Sequence, residues 1–265
     1  MSTKAVAAWV VAWSVAVVVA GSSVASAEEG FPEDRRFQSG TAYTLDQGSL
    51  EVGFFGPLRY GITDRLEVQG HPLAFFVAPN ARLRATVIDD TDSALAMTAG
   101  LTYPTPLLRL LAREGAGGVL PPDRAVPHVV SLFGEVSGSR RLGEHVLTGA
   151  AGVQVAPRFG ENELVTVELP VVYPRTAAFH TSATAIFRAR LLGPVVGPVG
   201  YALDGRIFVF PGVDGAFGAE GSAQVRWRIA ERWLLQAGVL LTHGGYPFGV
   251  DRRVLPLVDL VWAPR

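Results

Sequence analysis

The sequence has no cysteine and a single lysine, Lys4, among its 265 residues, and these absences exclude several kinds of protein. Without cysteine there is no disulfide scaffold, no thiolate metal site, no cysteine nucleophile and no lipid attached through an N-terminal cysteine. Only 18% of the residues are charged and the net charge is -1, so neither a basic field for nucleic acid nor an acidic field for basic partners is present. We therefore expect no nucleic-acid partner.

The chain opens on a segment with the layout of a secretory leader. Lys4 precedes an apolar stretch over residues 5–20, and a small-residue Ala-Ser-Ala motif follows at residues 25–27. This layout predicts a signal peptide over residues 1–27 that is removed on export. A retained anchor is the alternative, but the apolar stretch is shorter than the ~20 residues of a spanning helix. No later segment is long and apolar enough for such a helix, so any further membrane crossing must use strands.

Apolar and polar residues alternate with a period of two through most of the remaining chain. In "AQVRWRI", residues 223–229, the glutamine and both arginines share one face of an extended strand, and the apolar side chains share the other. About twelve segments show this alternation, among them "RLEVQGH", "ELVTVELPVVY" and "SATAIFRARL". Short breaks such as "YGITDR", "DDTDS", "RRLGEH" and "IAER" separate them and are typical of hairpin turns. With no βαβ alternation, we predict an all-β fold built from one antiparallel sheet.

The alternation alone does not decide which face of the sheet meets water. A secreted soluble β-sandwich or lipocalin-like binding protein buries its apolar face, whereas a transmembrane barrel turns that face toward lipid. The mean hydropathy of +0.28 and the position of the large aromatic residues near strand ends favour the barrel, because such rings prefer the headgroup zone. The candidates for these aromatic girdles are Tyr60, Tyr103, Tyr173, Phe210, Phe217, Trp227, Trp233 and Trp262.

In a transmembrane barrel the charged strand faces would line the lumen. Its arginines would attract a small anionic solute, and its carboxylates would hold that solute or tune the pore. The same charges would equally neutralise one another in a closed, non-conducting barrel, which is the alternative. The lumen-lining candidates are Glu51, Glu67, Arg82, Arg84, Glu168, Arg188, Arg190, Asp204, Arg206, Glu220, Arg226 and Arg228.

The predicted layout is a periplasmic segment over residues 28–48 followed by the barrel over residues 49–265. A long insertion interrupts the barrel at residues 104–127, and within it residues 107–113 would form about two helical turns, either in an exposed loop or in a lid, plug or binding element. Both termini are expected to face the periplasm. Our strand count then places the insertion on the periplasmic side, and a further strand before it, for example within residues 37–45, would reverse that side.

Several phrases resemble those of Gram-negative outer-membrane β-barrel proteins, notably uncharacterised, transporter-like and porin-like ones. They are "TAYTLDQGSLEVGFFGPLRYGITDRLEV", "RLGEHVLTGAAGV" and "RIAERWLLQAGV", of which "YGITDRLEV" is similar in wording. The resemblance implies an outer-membrane location, lipid as a partner, and insertion from the periplasm by the barrel-assembly machinery. One departure concerns the last residues: such barrels commonly end on an aromatic residue, whereas here Ala263, Pro264 and Arg265 follow Trp262.

One pair of residues, His180 and Ser182, could be interpreted as catalytic. On a strand, His180 and Ser182 of "FHTSAT" would share a face, as in a histidine-serine lipid hydrolase, but no nucleophile elbow or phospholipase signature accompanies them. The five histidines show no His-x3-His spacing, and the glycine-rich "GVDGAFGAEG" lacks the lysine of a phosphate-binding loop. We therefore predict no enzyme, no cofactor and no metal, and interpret the pair as polar residues at a strand end.

Overall fold

A computed structural model shows the chain as a closed antiparallel β-barrel and describes residues 35–114, 120–164, 174–211, 217–245 and 250–264. Its strands are β1 (Leu50–Gly53), β2 (Leu58–Thr63), β3 (Leu66–Gly70), β4 (Asn80–Asp89), β5 (Ser93–Thr102), β6 (His128–Val129), β7 (Ser131–Leu142), β8 (His145–Val155), β9 (Arg158–Phe159), β10 (Ala183–Val196), β11 (Val199–Val209), β12 (Phe217–Ala230), β13 (Trp233–Gly244) and β14 (Asp251–Trp262). Its helices are α1 (Pro72–Phe75), α2 (Thr105–Leu111) and α3 (Ala178–Thr181). Within these ranges, no helix is both long and apolar enough to cross a bilayer.

Twelve of the described strands form the barrel, and each pairs with its neighbours along the chain. The pairing of β1 with β14 closes the ring, while β6 and β9 form a separate two-stranded sheet. The predicted single antiparallel barrel of about twelve strands is therefore confirmed. Closure matters physically because only a closed sheet pairs the backbone groups that lipid would leave unsatisfied.

One strand of the barrel is absent from the predicted set. Residues 58–63, which include part of the predicted turn "YGITDR", form β2. This strand has only six residues and its register shifts between Gly61 and Thr63, so it offers too little regular alternation to be recognised. Of the predicted strand "ELVTVELPVVY", residues 165–173 lie outside the described part of the chain.

The extra strand β2 reverses the side on which the insertion lies. At one end, which we call the turn end, the connections are short and both β1 and β14 have their chain-terminal ends. These short connections comprise residues 64–65, 90–92, 143–144, 197–198 and 231–232. The opposite, loop end carries the longer connections over residues 71–79, 103–130 and 156–182. The described residues of the insertion at 104–127 thus lie at the loop end, opposite the chain-terminal ends of β1 and β14, and the expectation that the insertion shares their end was wrong.

The exterior of the barrel is apolar and its interior is polar. On β12, Val225 and Trp227 are 57% and 49% exposed, whereas Arg226 between them is 2% exposed. The same outward arrangement recurs around the ring at Leu83, Val87, Met97, Val136, Leu203, Val239 and Leu241. A soluble barrel or sandwich has the opposite distribution, because water favours charged side chains outside.

The two longest connections pack together at the loop end instead of extending as bare loops. Leu108 of α2 is fully buried and packs with Val129 of β6, Leu164 and Phe179 of α3. Helix α2 begins and ends two residues before the predicted helical segment. The insertion therefore contributes to a small hydrophobic core over the barrel.

Residues 37–45, which we call the inner segment, lie inside the barrel. Ala42, Thr44 and Leu45 have no exposed surface, and the segment carries no charged residue. This position differs from the predicted periplasmic segment over residues 28–48, of which residues 35–48 are described, because a stretch without alternation gives no signal of burial. The absence of a side chain at Gly61 gives this segment room, because a Cβ there would collide with the backbone oxygens of Leu45 and Asp46.

Candidate solute site in the lumen

A buried ionic cluster joins the first three strands on the lumen side. Arg59 of β2 donates from Nη1 to Oε1 of Glu51 on β1 at 3.2 Å. It also donates from Nε and Nη2 to the two carboxylate oxygens of Glu67 on β3, at 3.0 and 2.8 Å. The two carboxylates carry one more negative charge than the single arginine neutralises. Each also has an oxygen that accepts a hydrogen bond from the inner segment.

Both carboxylates accept hydrogen bonds from the backbone of the inner segment. Oε2 of Glu51 accepts from the Phe37 N–H at 2.5 Å, and Oε2 of Glu67 accepts from the Leu45 N–H at 2.9 Å. Arg226 of β12, three strands from β1 around the ring, donates to the carbonyl of Phe37. Charged groups thus satisfy backbone groups that burial would otherwise leave without partners.

The middle of the inner segment is bound to two further strands. Arg84 of β4 donates to the Thr41 carbonyl at 2.7 Å, and the hydroxyl of Thr86 donates to the Ala42 carbonyl at 3.0 Å. On β7, the hydroxyl of Ser139 accepts from the Ala42 N–H at 2.7 Å. Together with the contacts from β1, β3 and β12, these bonds hold the segment from several positions around the ring, so it obstructs the barrel toward the turn end.

The ring of Tyr43 packs within an apolar patch of the lumen beside the guanidinium of Arg141. That guanidinium lies 5.1 Å from the ring centre, within cation-π range. Burial raises the pKa of the Tyr43 hydroxyl above its ordinary value, with charged neighbours acting in both directions. The phenol therefore remains neutral over the physiological pH range.

Above the inner segment, toward the loop end, the barrel encloses a chamber of about 250 Å³. Among the residues that line it are five arginines and a single carboxylate: Arg82, Arg84, Arg175, Arg188, Arg206 and Glu135. The aromatic rings of Phe133, Phe179 and Phe208 complete part of the wall. Such a surplus of guanidinium groups in a confined space favours an anionic occupant.

Several chamber arginines have carboxylate partners. Arg188 contacts Glu135 at 3.4 Å, and Arg206 pairs with Asp204 at 3.0 Å. Asp204 also lies 3.5 Å from Arg190, so it serves two cations. These pairs reduce the positive charge of the chamber without cancelling it.

Arg82 differs from the other chamber arginines. Its guanidinium lies 4.8 Å from the ring centre of Phe133, and it makes no hydrogen bond to any residue in the described part of the chain. A guanidinium has five N–H donors, so Arg82 retains its capacity to hold a carboxylate or phosphate. We regard it as the first candidate contact for a solute.

Arg175 was missed by the sequence reasoning. It lies in the connection between β9 and β10, reaches into the chamber and pairs with Glu220 at 2.8 Å. Burial, together with the positive charge of Arg206, lowers its pKa. Because Arg175 belongs to no alternating strand, its local sequence contains no signal of a lumen position.

The remaining predicted lumen residues are distributed as follows. Arg228 lies 5.6 Å from the ring centre of Phe37, and Glu220 is buried beside Arg175. Glu168 lies outside the described residues. The twelve candidates therefore do not form one solute path: some hold the inner segment, and others line the chamber.

The predicted girdle residues are placed mostly at the two rims. Trp227, Trp233, Trp262 and Tyr60 lie on the outside near the turn end, whereas Phe217 and Tyr103 lie at the loop end. Tyr103 donates to or accepts from His128 at 2.6 Å. Tyr173 lies outside the described residues.

Phe210 was wrongly assigned to a girdle. It is 2% exposed and packs with Phe208 and Ala177 inside the loop end. Phe208 faces the chamber, and a residue two positions along an extended chain has the same orientation. The sequence reasoning had used only its closeness to a turn.

His180 and Ser182 do not lie together on a strand. His180 lies within α3, and Ser182, directly after the end of that helix, has the left-handed conformation with φ 67°. Burial lowers the pKa of His180, and the nearby Arg158 lowers it further. Among the described residues, no group of three or more His, Asp or Glu side chains is placed to hold a metal ion.

The fold is similar to that of solved outer-membrane barrels at very low sequence identity. OmpT of Vibrio cholerae matches with a TM-score of 0.42 and 11% identity over 80% of this chain and 62% of its own. Its L8 loop-deletion mutant matches with a TM-score of 0.46 and 11% identity over 94% of this chain and 72% of its own. The ferric yersiniabactin uptake receptor FyuA of Yersinia pestis matches at 0.26 and 12% identity over 83% and 44%.

The present chain thus spans less than two thirds of the length of OmpT in the first of these matches. No family model matches the sequence, and no curated protein matches it.

Proposed function

We propose that this protein is an outer-membrane β-barrel that conducts or takes up a small anionic solute, which binds in the arginine-lined chamber. The observation that carries the proposal is the composition of the chamber wall, with five arginines against one carboxylate. Arg82, which has no hydrogen-bond partner among the described residues, supplies the contact least committed to the protein itself.

The membrane location is supported by the outer surface. Aliphatic side chains are exposed around the ring, and Trp227, Trp233 and Trp262 cluster near one rim. In water this surface would be costly, whereas in lipid the aliphatic band and the interfacial indoles are both stabilised. Lipid, and the barrel-assembly machinery during insertion, are the partners that this location requires.

The inner segment would act as a gate between the chamber and the turn end. Its backbone N–H groups donate to Glu51 and Glu67 and its carbonyls accept from Arg84 and Arg226, so a solute can pass only if the segment moves. We propose that this movement is local, because the strands that hold the segment are themselves paired in the barrel.

Planar-bilayer conductance tests this function. We expect the parent protein to open rarely and to favour anions when open, and a variant lacking residues 35–48 to conduct more readily. Replacing the two chamber arginines in the double variant Arg82→Gln/Arg206→Gln should reduce the preference for anions. Absence of current from both the parent and the folded shortened variant would end the conducting function.

A closed structural barrel is the second candidate. It is favoured by the filled lumen near the turn end and by the ion pairs that neutralise much of the internal charge. It predicts neither current nor saturable binding of anions. Location is tested separately: a membrane barrel stays with the outer membrane after a carbonate wash and shows heat-dependent mobility on gels, and a soluble protein does neither.

A further inference from the structure

The barrel wall is incompletely paired at its closing seam. On one side, β14 pairs with β13 through all of its residues from Asp251 to Trp262. On the other side it pairs with β1 only through Val261 and Trp262. Two additional hydrogen bonds cross the seam: the Phe54 N–H donates to the Leu260 carbonyl at 3.0 Å, and the Phe55 N–H donates to Oδ1 of Asp259 at 2.8 Å. No strand in the described part of the chain pairs with that side of residues 251–259. Among the described residues, the seam is therefore paired near the turn end and unpaired toward the loop end.

The sequence of β14 is suited to an edge that remains unpaired. Because the Leu260 carbonyl faces β1, the backbone groups of residues 252, 254, 256 and 258 face the same side. Residue 256 is proline, which has no N–H to donate, and it stands in the middle of this edge. Proline on an edge strand prevents another strand from adding to it. We therefore interpret the unpaired edge of β14 as the border of an opening in the barrel wall and not as a site where another chain adds a strand.

Large apolar side chains border this opening. Phe54 and Phe55 follow β1 and are 59% and 58% exposed, and Phe76, immediately after α1, is 86% exposed. The Phe55 carbonyl is 2.7 Å from Nε2 of His71, which joins the two connections. On the opposite border, Val254 of β14 is 69% exposed. Both borders therefore offer apolar surface to the bilayer.

Three leucines form an apolar patch in the lumen behind the opening. Leu240 of β13 pairs with Leu255 of β14 and with the lumen-facing Ser222 of β12, so both leucines face inward. Leu257 lies two residues further along β14 and shares that face. All three leucines are partly exposed inside the barrel. The lumen thus has an apolar patch on β13 and β14, beside the Asp259 carboxylate that binds the Phe55 N–H at 2.8 Å, and a cationic wall around the chamber on β4 to β11.

We propose that the opening between β14 and the β1–β2 connection is a lateral passage between lumen and bilayer for a single-chain amphiphile with an anionic head, such as a long-chain carboxylate. The head is held by the chamber arginines, with Arg82 as the least committed of them. The acyl chain lies against Leu240, Leu255 and Leu257 and leaves through the opening into lipid. The polar backbone edge of β14 lines a hydrated passage for the head, the setting in which unpaired backbone is tolerated at membrane depth. This inference rests on the proposed anion-binding function and specifies its substrate class.

The absence of cysteine permits a site-specific test in the full-length folded protein. Val254→Cys at the opening and Met97→Cys on β5 at the far side of the barrel are each labelled with a bimane fluorophore; both positions face outward, with 69% and 55% exposure in the parent. Stearate carrying a nitroxide on its acyl chain is titrated into nanodiscs that contain either protein. We expect saturable quenching at position 254, displaced by unlabelled stearate, and only the gradual quenching of annular lipid at position 97. The Arg82→Gln/Arg206→Gln background should lose the saturable component.

Heat-dependent gel mobility first verifies that every labelled protein is folded. Equal, non-saturable quenching at both positions would overturn the lateral passage. If that result accompanies an anion-selective current, the proposed function stands and only the amphiphilic substrate is wrong. If neither an anion current nor saturable quenching is found, the proposed function fails together with the passage.

Discussion

Arg59 and Glu67 form a two-point ion pair in which neither side chain has any exposed surface. Glu51 shares the same guanidinium, and both carboxylates also bind the inner segment. A buried pair of this kind adds little net stability compared with apolar packing, but loss of one partner leaves uncompensated charge. The fold of the first three strands therefore depends on Arg59, which neutralises the carboxylates of Glu51 and Glu67.

The variant Arg59→Met should be strongly destabilised, because two carboxylates would remain buried without a counter-charge. We expect a loss of about 3–5 kcal/mol, measured as a lower urea midpoint for unfolding in detergent micelles. Arg65→Met is the matched control, since Arg65 lies exposed in the adjacent turn. Equal midpoints for the two variants would contradict the role assigned to the pair.

The double variant Thr86→Val/Ser139→Ala removes two hydrogen bonds to Ala42 without changing any charge. Each such bond contributes about 1 kcal/mol, so the inner segment should leave the lumen more often, and the frequency of current openings should rise. Ser137→Ala is the control, because Ser137 lies two residues away on the same face of β7 and does not bind the segment. An opening frequency unchanged from the parent would argue against the segment as a gate.

The barrel could be predicted from sequence because its main determinant is local. Alternation records which side chains share a face, and Val225, Arg226 and Trp227 show it within three residues. The order of the strands then follows from the short turns. Among the described residues, the alternation was too short to reveal β2, and that omission changed the end of the barrel at which the long insertion was predicted to lie.

The inner segment and the chamber could not be predicted because both depend on contacts between distant residues. Ala42 is bound by Ser139, which lies 97 residues away, and Arg175 reaches the chamber from a connection without alternation. The one available signal is weak: residues 37–45 form an uncharged stretch directly before strands whose lumen faces are charged.

Replacing Val239 with arginine tests the orientation of the outer face. Val239 lies near the middle of β13 and faces outward with 44% exposure. In a bilayer the charge should cost about 2–4 kcal/mol at the midplane, whereas on a water-exposed surface it would cost little. The folded fraction after refolding into lipid vesicles should fall for Val239→Arg and not for Val239→Leu. Equal folded fractions would favour a water-exposed face.

The tryptophans permit a depth measurement without any substitution. Of the five in the sequence, two lie within the predicted leader, and the other three, Trp227, Trp233 and Trp262, lie near the turn end, where the last two rings are 6.3 Å apart. Mass spectrometry first establishes whether residues 1–27 have been removed. Lipids brominated near the headgroup should then quench the fluorescence more strongly than lipids brominated near the end of the acyl chain, because indoles prefer the interface. Stronger quenching by the deep bromines would place this rim in the hydrocarbon and contradict the proposed position of the barrel in the membrane.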